Sequence, residues 1–247
     1  RLIKECPGKW ISFGAKQGDF RIGQAEVNEK GAAITLNAGK HGTLHLQSQI
    51  PGEFSFLNIA AAATMALGSG CPPEAVKKGI SGLHGVPGRL ERVPTTMPFS
   101  VFVDFAHSGH ALENVLTALR SVCRGRLIAV FGAGGDKDPA RRTTQGQVAA
   151  RLADHTVITS DNPRSEDPLK IIAAIESAYV AAGGKRYQVE PDRRRAIREA
   201  LAMAREGDVV CLAGKGHETG QIVGDQIFPF DDREEAAMVL RERESKG

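Results

Sequence analysis

The sequence predicts an α/β protein whose carboxy-terminal part is a doubly wound, mostly parallel sheet with helices on both faces. A smaller α/β region with a short antiparallel element precedes it. Three observations lead there. From Phe99 onward, short apolar runs alternate with helical stretches at regular spacing. Two of those stretches open on a capping residue followed by proline, Asp138-Pro139 and Asp167-Pro168, as helix starts do. Aromatic residues make up only 5% of the chain, so the core has to be built from Ala, Val, Ile and Leu, the mixture that helix-covered parallel sheets use.

Each element has its own signal. Apolar and polar side chains alternate in Ala33-Ile34-Thr35-Leu36-Asn37 and in Thr43-Leu44-His45-Leu46-Gln47, with Gly39 to Gly42 as a turn between them, which predicts a small antiparallel region. An Ala-rich helix is expected from Glu53 to Leu67, stopped by Gly68 and Gly70. Pro73, where a missing N–H does no harm, starts another to about Leu83. His84 to Pro94 is too rich in Gly and Pro for regular structure and reads as a hinge. Strands follow at Phe99–Phe105, Leu127–Phe131, Thr156–Thr159, Tyr187–Val189 and Val209–Ala213. Helices are expected near 110–121, 139–153, 168–182, 192–205 and 232–243. The expected domains are therefore 1–94 and 95–247.

Composition narrows the function classes. Lys and Arg number 32 against 29 Asp and Glu, a formal charge of +3, too small and too evenly spread to point to nucleic acid. An acidic small-molecule ligand is compatible with it. Cys6, Cys71, Cys123 and Cys211 lie far apart with no C-x-x-C, so neither a disulfide framework nor a structural zinc site is suggested and a reducing cytosol fits best. Cys123 and Cys211, at a helix end and inside an apolar strand, read as small buried residues rather than nucleophiles. No apolar run approaches the roughly 20 residues that span a bilayer. The chain opens on Arg1-Leu2-Ile3-Lys4, neither a signal sequence nor an initiator Met, which raises the expectation that its true beginning lies elsewhere.

In a doubly wound sheet ligands bind beyond the carboxyl ends of the strands. Four predicted strands run into polar or Gly-rich loops there: Asp104-Phe105-Ala106-His107-Ser108, Gly132 to Asp138, Ser160-Asp161-Asn162-Pro163-Arg164, and Gly214-Lys215-Gly216-His217-Glu218. Such loops are polar in any sheet of this kind, so the residue identities have to decide. Arg164 offers a planar fork for a carboxylate and Glu218 can take an ammonium, a combination suited to an amino acid or a diamino diacid. The alternatives stay open at this level: Arg164 paired with Glu166 or Asp167 at the surface, and Glu218 as a solvated loop acid. Gly132, Gly134 and Gly135 do not match G-x-G-x-x-G, because Lys137 holds the last glycine position, so a nicotinamide site is poorly supported. No Gly-Lys pair fits G-x-x-x-x-G-K-[ST], and no G-x-S-x-G elbow is present. His107 and His110 have no matching third ligand nearby, which argues against zinc. His41 and His45 read as exposed side chains of the hairpin region.

Taken together, Val103 to Ser108, Phe131 to Asp138, Asp161 to Arg164 and Ala213 to Glu218, with Gly52, Asn58-Ile59-Ala60-Ala61 and Gly88-Arg89-Leu90-Glu91 upstream, occur in the order and spacing of the Mur ligases. The resemblance runs over nearly the whole chain and is nearest to the members that add the third residue of the peptidoglycan stem peptide. It implies the end of a central ATPase domain followed by a complete, Rossmann-like third domain. The implied enzyme is a cytoplasmic, monomeric ATP- and Mg2+-dependent ligase serving peptidoglycan synthesis, and through it cell shape and division. In it the D-glutamate carboxylate of a UDP-linked muramoyl dipeptide is phosphorylated and then attacked by an amine. By position, Lys137, Asp161, Asn162, Arg164, Gly214 and Glu218 resemble the set that recognises the incoming amino acid, in the form associated with meso-diaminopimelate. Asn58, Arg89, Asp104 and His107 match positions lining the nucleotide. The resemblance places the P-loop, the carbamylated lysine and the magnesium-binding acids upstream, so this chain is expected to be a carboxy-terminal half without turnover of its own. Departures are Lys137 for a usual arginine, Ser55 for a frequent asparagine, and Ser108-Gly109-His110 for a more usual Thr-Pro-Asp. The competing reading is a stand-alone amino-acid or nucleotide binding module derived from the same domain.

Overall fold

The computed structural model describes residues 8, 10–28 and 31–245; Cys6 and the opening Arg1 to Lys4 lie outside them. The chain divides into two compact units between His84 and Gly85. This lies earlier than the boundary expected after Pro94, for a physical reason: Glu91–Val93 is an edge strand that pairs antiparallel with Val101 to Val103, so it belongs to the second sheet.

In the first unit, β1 (Phe13–Gly14), β2 (Phe20–Asn28), β3 (Gly31–Asn37) and β4 (Thr43–Ser48) form a sheet in that order. β2, β3 and β4 are antiparallel neighbours, but β1 runs parallel to β2, so the region is mixed rather than wholly antiparallel. The period-two pattern does what it must: Leu44, Leu46 and Ser48 are buried while Thr43, His45 and Gln47 face solvent. His41 departs from the expected exposure; it is half-buried, edge-on to Phe20. α1 (Phe54–Gly68) and α2 (Pro73–Ser81) follow. The alanines of α1 let it lie close on the sheet, burying Ile59, Ala60, Ala63 and Leu67 with Ile34, Leu36, Leu44 and Leu46.

The second unit is built on a six-stranded sheet: β5 (Glu91–Val93), β6 (Ser100–Asp104), β7 (Leu127–Phe131), β8 (His155–Ile158), β9 (Tyr187–Val189) and β10 (Val209–Ala213), in the order β5-β6-β10-β7-β8-β9. All neighbours are parallel except β5 with β6. Five helices accompany it: α3 (Gly109–Arg120), α4 (Ala140–Leu152), α5 (Pro168–Ala181), α6 (Arg193–Met203) and α7 (Asp232–Glu244). Every residue of β7 and β10 is buried, because successive side chains go to opposite covered faces. Leu127, Ala129, Phe131, Cys211 and Ala213 pack with α3, α4 and α5. Ile128, Val130, Val210 and Leu212 pack with α6 and α7. Right-handed crossovers produce this division: the chain advances from β6 through β9 with helices on one face, then returns through α6 on the other to insert β10 between β6 and β7.

Asp167 is the N-cap of α5 as expected, whereas α4 begins one residue later than expected, with Pro139 in the N-cap position and Asp138 just before it. Asp167 Oδ1 accepts the Leu169 N–H at 2.9 Å and Asp138 Oδ1 accepts that of Ala140 at 2.9 Å. The sequence reading missed the hairpin of β11 (Gly220–Val223) and β12 (Gln226–Pro229). Its signal was the two-residue Gly224-Asp225 turn, with Gly224 at φ 59°.

Candidate functional site

The inserted strand creates the site. After β7 the chain enters α4 on one face; after β10 it leaves for the hairpin and α7, which packs on the other. At such a switch the loops diverge and leave a crevice at the carboxyl edge. A cleft of about 400 Å³ opens there, lined by Lys137, Asp161, Asn162, Arg164, Gly214 and Glu218, with Phe105, His107, Ala133, Gly134, Asp138, Arg141 and Arg142 completing the wall. The six positions expected to recognise an amino acid thus lie together, in loops from three strands.

Arg164 is held by backbone on both sides. Its N–H donates to the Ile222 carbonyl at 3.1 Å and its carbonyl accepts the Gly224 N–H at 2.7 Å, so β11 backs the loop. This pins Arg164 at φ 52°, a region that side chains enter only when their surroundings impose it. Its Nη1 donates to the Gly135 carbonyl at 2.9 Å, which aims the guanidinium across the cleft. The alternative surface pairing does not form, because both acids are engaged elsewhere: Glu166 accepts from Arg142 at 2.6 Å and from the Asp136 N–H at 2.7 Å, while Asp167 caps α5. The hydrogen bond from Arg142 holds the Glu166 carboxyl below its ordinary value. Asp136, itself at φ 56°, accepts from Ser165 Oγ at 2.6 Å. The loop carrying Lys137 is thereby latched to the loop carrying Arg164.

Beneath them lies a buried polar cluster. Lys215 is fully buried, and its Nζ donates to Asn162 Oδ1 at 3.0 Å and to Glu218 Oε2 at 3.2 Å, with Asp161 Oδ1 at 3.6 Å. Asn162 Nδ2 donates to Glu218 Oε2 at 2.9 Å, and its Oδ1 also accepts the Ile222 N–H at 3.0 Å. Glu218 is half-buried in this network rather than solvated. Burial pushes the Asp161 carboxyl up, opposed by Arg193 and Lys215, and Asp161 Oδ1 has no hydrogen-bond partner among the described residues. Gly214 stands at φ 119°, and a Cβ there would come within 2.9 Å of Asp161 Oδ2.

Of the residues expected at the nucleotide, Arg89, Asp104 and His107 belong to the second unit. His107 lines the cleft and stacks edge-on to Phe105, with ring centroids 4.7 Å apart, and the Arg89 guanidinium lies 5.3 Å from the same ring. Asp104 is buried and its Oδ2 accepts the Leu90 N–H at 2.8 Å; burial pushes its carboxyl up. It anchors the turn that carries Arg89. Asn58 lies exposed on α1 of the first unit.

Sequence reasoning missed Lys215, Phe105 and the Arg193–Asp232 pair beneath the cleft. For Lys215 the signal was present in the glycines on either side, Gly214 at φ 119° and Gly216 at φ 54°, which turn the chain sharply enough to aim the lysine inward.

Residues 88–216 match the family described as Mur ligase, glutamate ligase domain. The UDP-N-acetylmuramoyl-L-alanyl-D-glutamate–2,6-diaminopimelate ligase of Syntrophomonas wolfei is 43% identical over 93% of this chain and 47% of its own length. The like-named protein of Solibacter usitatus is 47% identical over 98% and 48%. Among solved structures, a ligase of that name superposes with a TM-score of 0.70 at 31% identity, covering 95% of this chain and 48% of its own. The chain spans about half the length of the curated relatives it matches. Among the described residues no helix is long and apolar enough to cross a membrane.

Proposed function

Since the chain belongs to the Mur ligase family, we propose that its second unit seats the amino acid that an ATP-dependent ligase of peptidoglycan synthesis adds to a UDP-linked muramoyl dipeptide, and that this amino acid is meso-diaminopimelate. One observation carries the reading: a single cleft holds two opposite charges, each anchored independently. Arg164 is fixed by the hairpin and the Gly135 carbonyl, Glu218 by Asn162 and Lys215. A diamino diacid presents a carboxylate and an ammonium at its distal end. The guanidinium forks the first and Glu218 accepts from the second. Gripping that end leaves the other amine free to attack the activated acceptor.

Charge accounting supports the same ligand. Arg193 is paired with Asp232, and Lys215 reaches Glu218 through Oε2, so the other carboxylate oxygen of Glu218 is left for an incoming ammonium. Lysine would fill that place but leave Arg164 without its anion. Losing one partner of a buried charged pairing typically costs about 2–5 kcal/mol.

Mur ligases use ATP and Mg2+; ATP would supply the phosphoryl group that activates the acceptor carboxylate, and the cation would offset the phosphate charge. Arg89 and His107, both against the Phe105 ring, fit a nucleotide-facing role. The Asp104 carboxylate accepts the Leu90 N–H through Oδ2 alone, and Asp104 is proposed for the nucleotide ribose on resemblance. Asn58 is proposed for the nucleotide on resemblance alone. The described residues contain no group of three acids, histidines or cysteines suited to a metal ion. The 247 residues contain no G-x-x-x-x-G-K-[ST] cradle, and we propose that they do not turn over unaided; ligation or ATP hydrolysis by the purified chain would refute that.

The test is Arg164→Ala in the full-length ligase. KM for meso-diaminopimelate should rise by about thirtyfold or more while KM for ATP stays put. Equal losses for both substrates would contradict the role of Arg164.

A further inference from the structure

We infer that Lys215 is a specificity-determining positioning residue, setting which atoms Asn162 and Glu218 present to the amino acid. The inference rests on the proposed amino-acid seat and goes beyond it.

A fully buried ammonium is stable only when its donors are met. Those of Lys215 are met by the two side chains that matter for recognition, Asn162 Oδ1 at 3.0 Å and Glu218 Oε2 at 3.2 Å. The consequence for Asn162 is its orientation. With Lys215 and the Ile222 N–H both on Oδ1, the amide can face only one way: Nδ2 points to Glu218 Oε2 and keeps a second N–H with no partner among the described residues. The consequence for Glu218 is which oxygen is used. Oε2 is taken by Asn162 and Lys215, so Oε1 remains as the acceptor. The cleft therefore offers one N–H donor and one carboxylate oxygen side by side, a match to the carboxylate and ammonium of an α-amino acid terminus. A flipped Asn162 would set its carbonyl oxygen against Glu218 and lose both.

Lys215 also holds the charge of the group. The charged side chains facing it are Asp161 from the loop after β8, Glu218 from its own loop, Arg193 from α6 and Asp232 from α7. Phe230 adds an aromatic ring at 5.9 Å. Without Lys215, two acids share the site with only Arg193, already bound to Asp232. Burial already pushes the Asp161 carboxyl up against the charges of Arg193 and Lys215, so losing one of those charges drives it further toward its protonated form, and the grip on an ammonium becomes dependent on pH.

The experiment is calorimetric titration of this chain and its Lys215→Met variant with meso-diaminopimelate and with L-lysine, from mildly acid to neutral pH. Wild type should prefer meso-diaminopimelate with little pH dependence. Lys215→Met should lose at least about tenfold of that preference, with affinity falling further as pH is lowered. An unchanged preference and a flat pH profile in a folded Lys215→Met would overturn the inference, and would show that Lys215 only supports the fold. A wild type that binds neither amino acid would refute the seat itself. If the variant does not fold, the wild-type side-chain ammonium resonance of Lys215, slow to exchange because it is buried, is followed by NMR. It should move on addition of meso-diaminopimelate, and a resonance that stays in place at saturation overturns the inference.

Discussion

Arg193 and Asp232 form a two-point ion pair with both side chains fully buried, Nε to Oδ1 at 2.8 Å and Nη2 to Oδ2 at 2.7 Å. The same guanidinium donates to the Ala213 carbonyl at 3.0 Å and to that of Ser160 at 3.3 Å. One side chain from α6 thus ties the start of α7 to the points where β10 and β8 give way to the site loops. Removing one partner strands a buried charge. Asp232→Ala should destabilise by about 3–5 kcal/mol in urea denaturation. Replacing both partners, as Arg193→Met with Asp232→Leu, should restore part of that stability but not ligand binding, because the two loop carbonyls lose their donor. A loss below about 1 kcal/mol for the single variant would show that the pair is dispensable.

The acid limb of stability should run through Asp208. Burial works to raise its carboxyl, but the hydrogen bonds and charge of Arg126 and the N–H of Arg205 outweigh it and hold it below the ordinary value. A depressed folded value means that the contribution is complete above the unfolded value of about 3.9 and is lost as pH falls through the folded one. Asp208→Asn should lower stability at neutral pH by about 1.5–3 kcal/mol and flatten the decline at acid pH. Urea midpoints at neutral pH and near pH 3 check both; an unchanged acid slope would remove Asp208 from the account.

Gly214 should tolerate no side chain. At φ 119°, where a Cβ would meet Asp161 Oδ2 at 2.9 Å, Gly214→Ala should cost about 1–3 kcal/mol. It should also weaken amino-acid binding, since the Cβ enters the cleft floor. Thermal unfolding and titration together decide; a neutral effect on both would mean that the loop relaxes freely.

Lys137 gives the opposite sign. It is exposed at the cleft wall, so changing it should leave stability within about 0.5 kcal/mol. Lys137→Arg turns a point charge into a planar fork. Affinity for meso-diaminopimelate should rise severalfold with no change in that for L-lysine. A fall in affinity would mean that Lys137 is already placed at its optimum.

Legibility in the sequence followed burial. β7 and β10 match their predicted ends to the residue, because strands covered on both faces are written as unbroken apolar runs. β5 was hidden because Glu91-Arg92-Val93 has little strand character of its own and exists through pairing with β6. The hairpin was hidden because its residues are half-buried or exposed. In the site, Arg164 and Glu218 could be read from what their side chains offer a ligand. For Lys215 the flanking Gly214 and Gly216 signalled a sharp turn, but its partners Asn162, Glu218 and Asp161 come together only in the tertiary structure. The αL backbone of Arg164 could not be read, since the unpredicted hairpin imposes it.

In the proposed seat, Arg164 and Glu218 together hold the distal end of a diamino diacid. Calorimetric titration of the 247-residue chain and its Arg164→Ala variant with meso-diaminopimelate and L-lysine tests it most directly. Wild type should bind meso-diaminopimelate at least about thirtyfold more tightly than lysine, and Arg164→Ala should bring the two affinities together by weakening only the first. Equal wild-type affinities for the two amino acids, or an Arg164→Ala variant that keeps the preference, would contradict it.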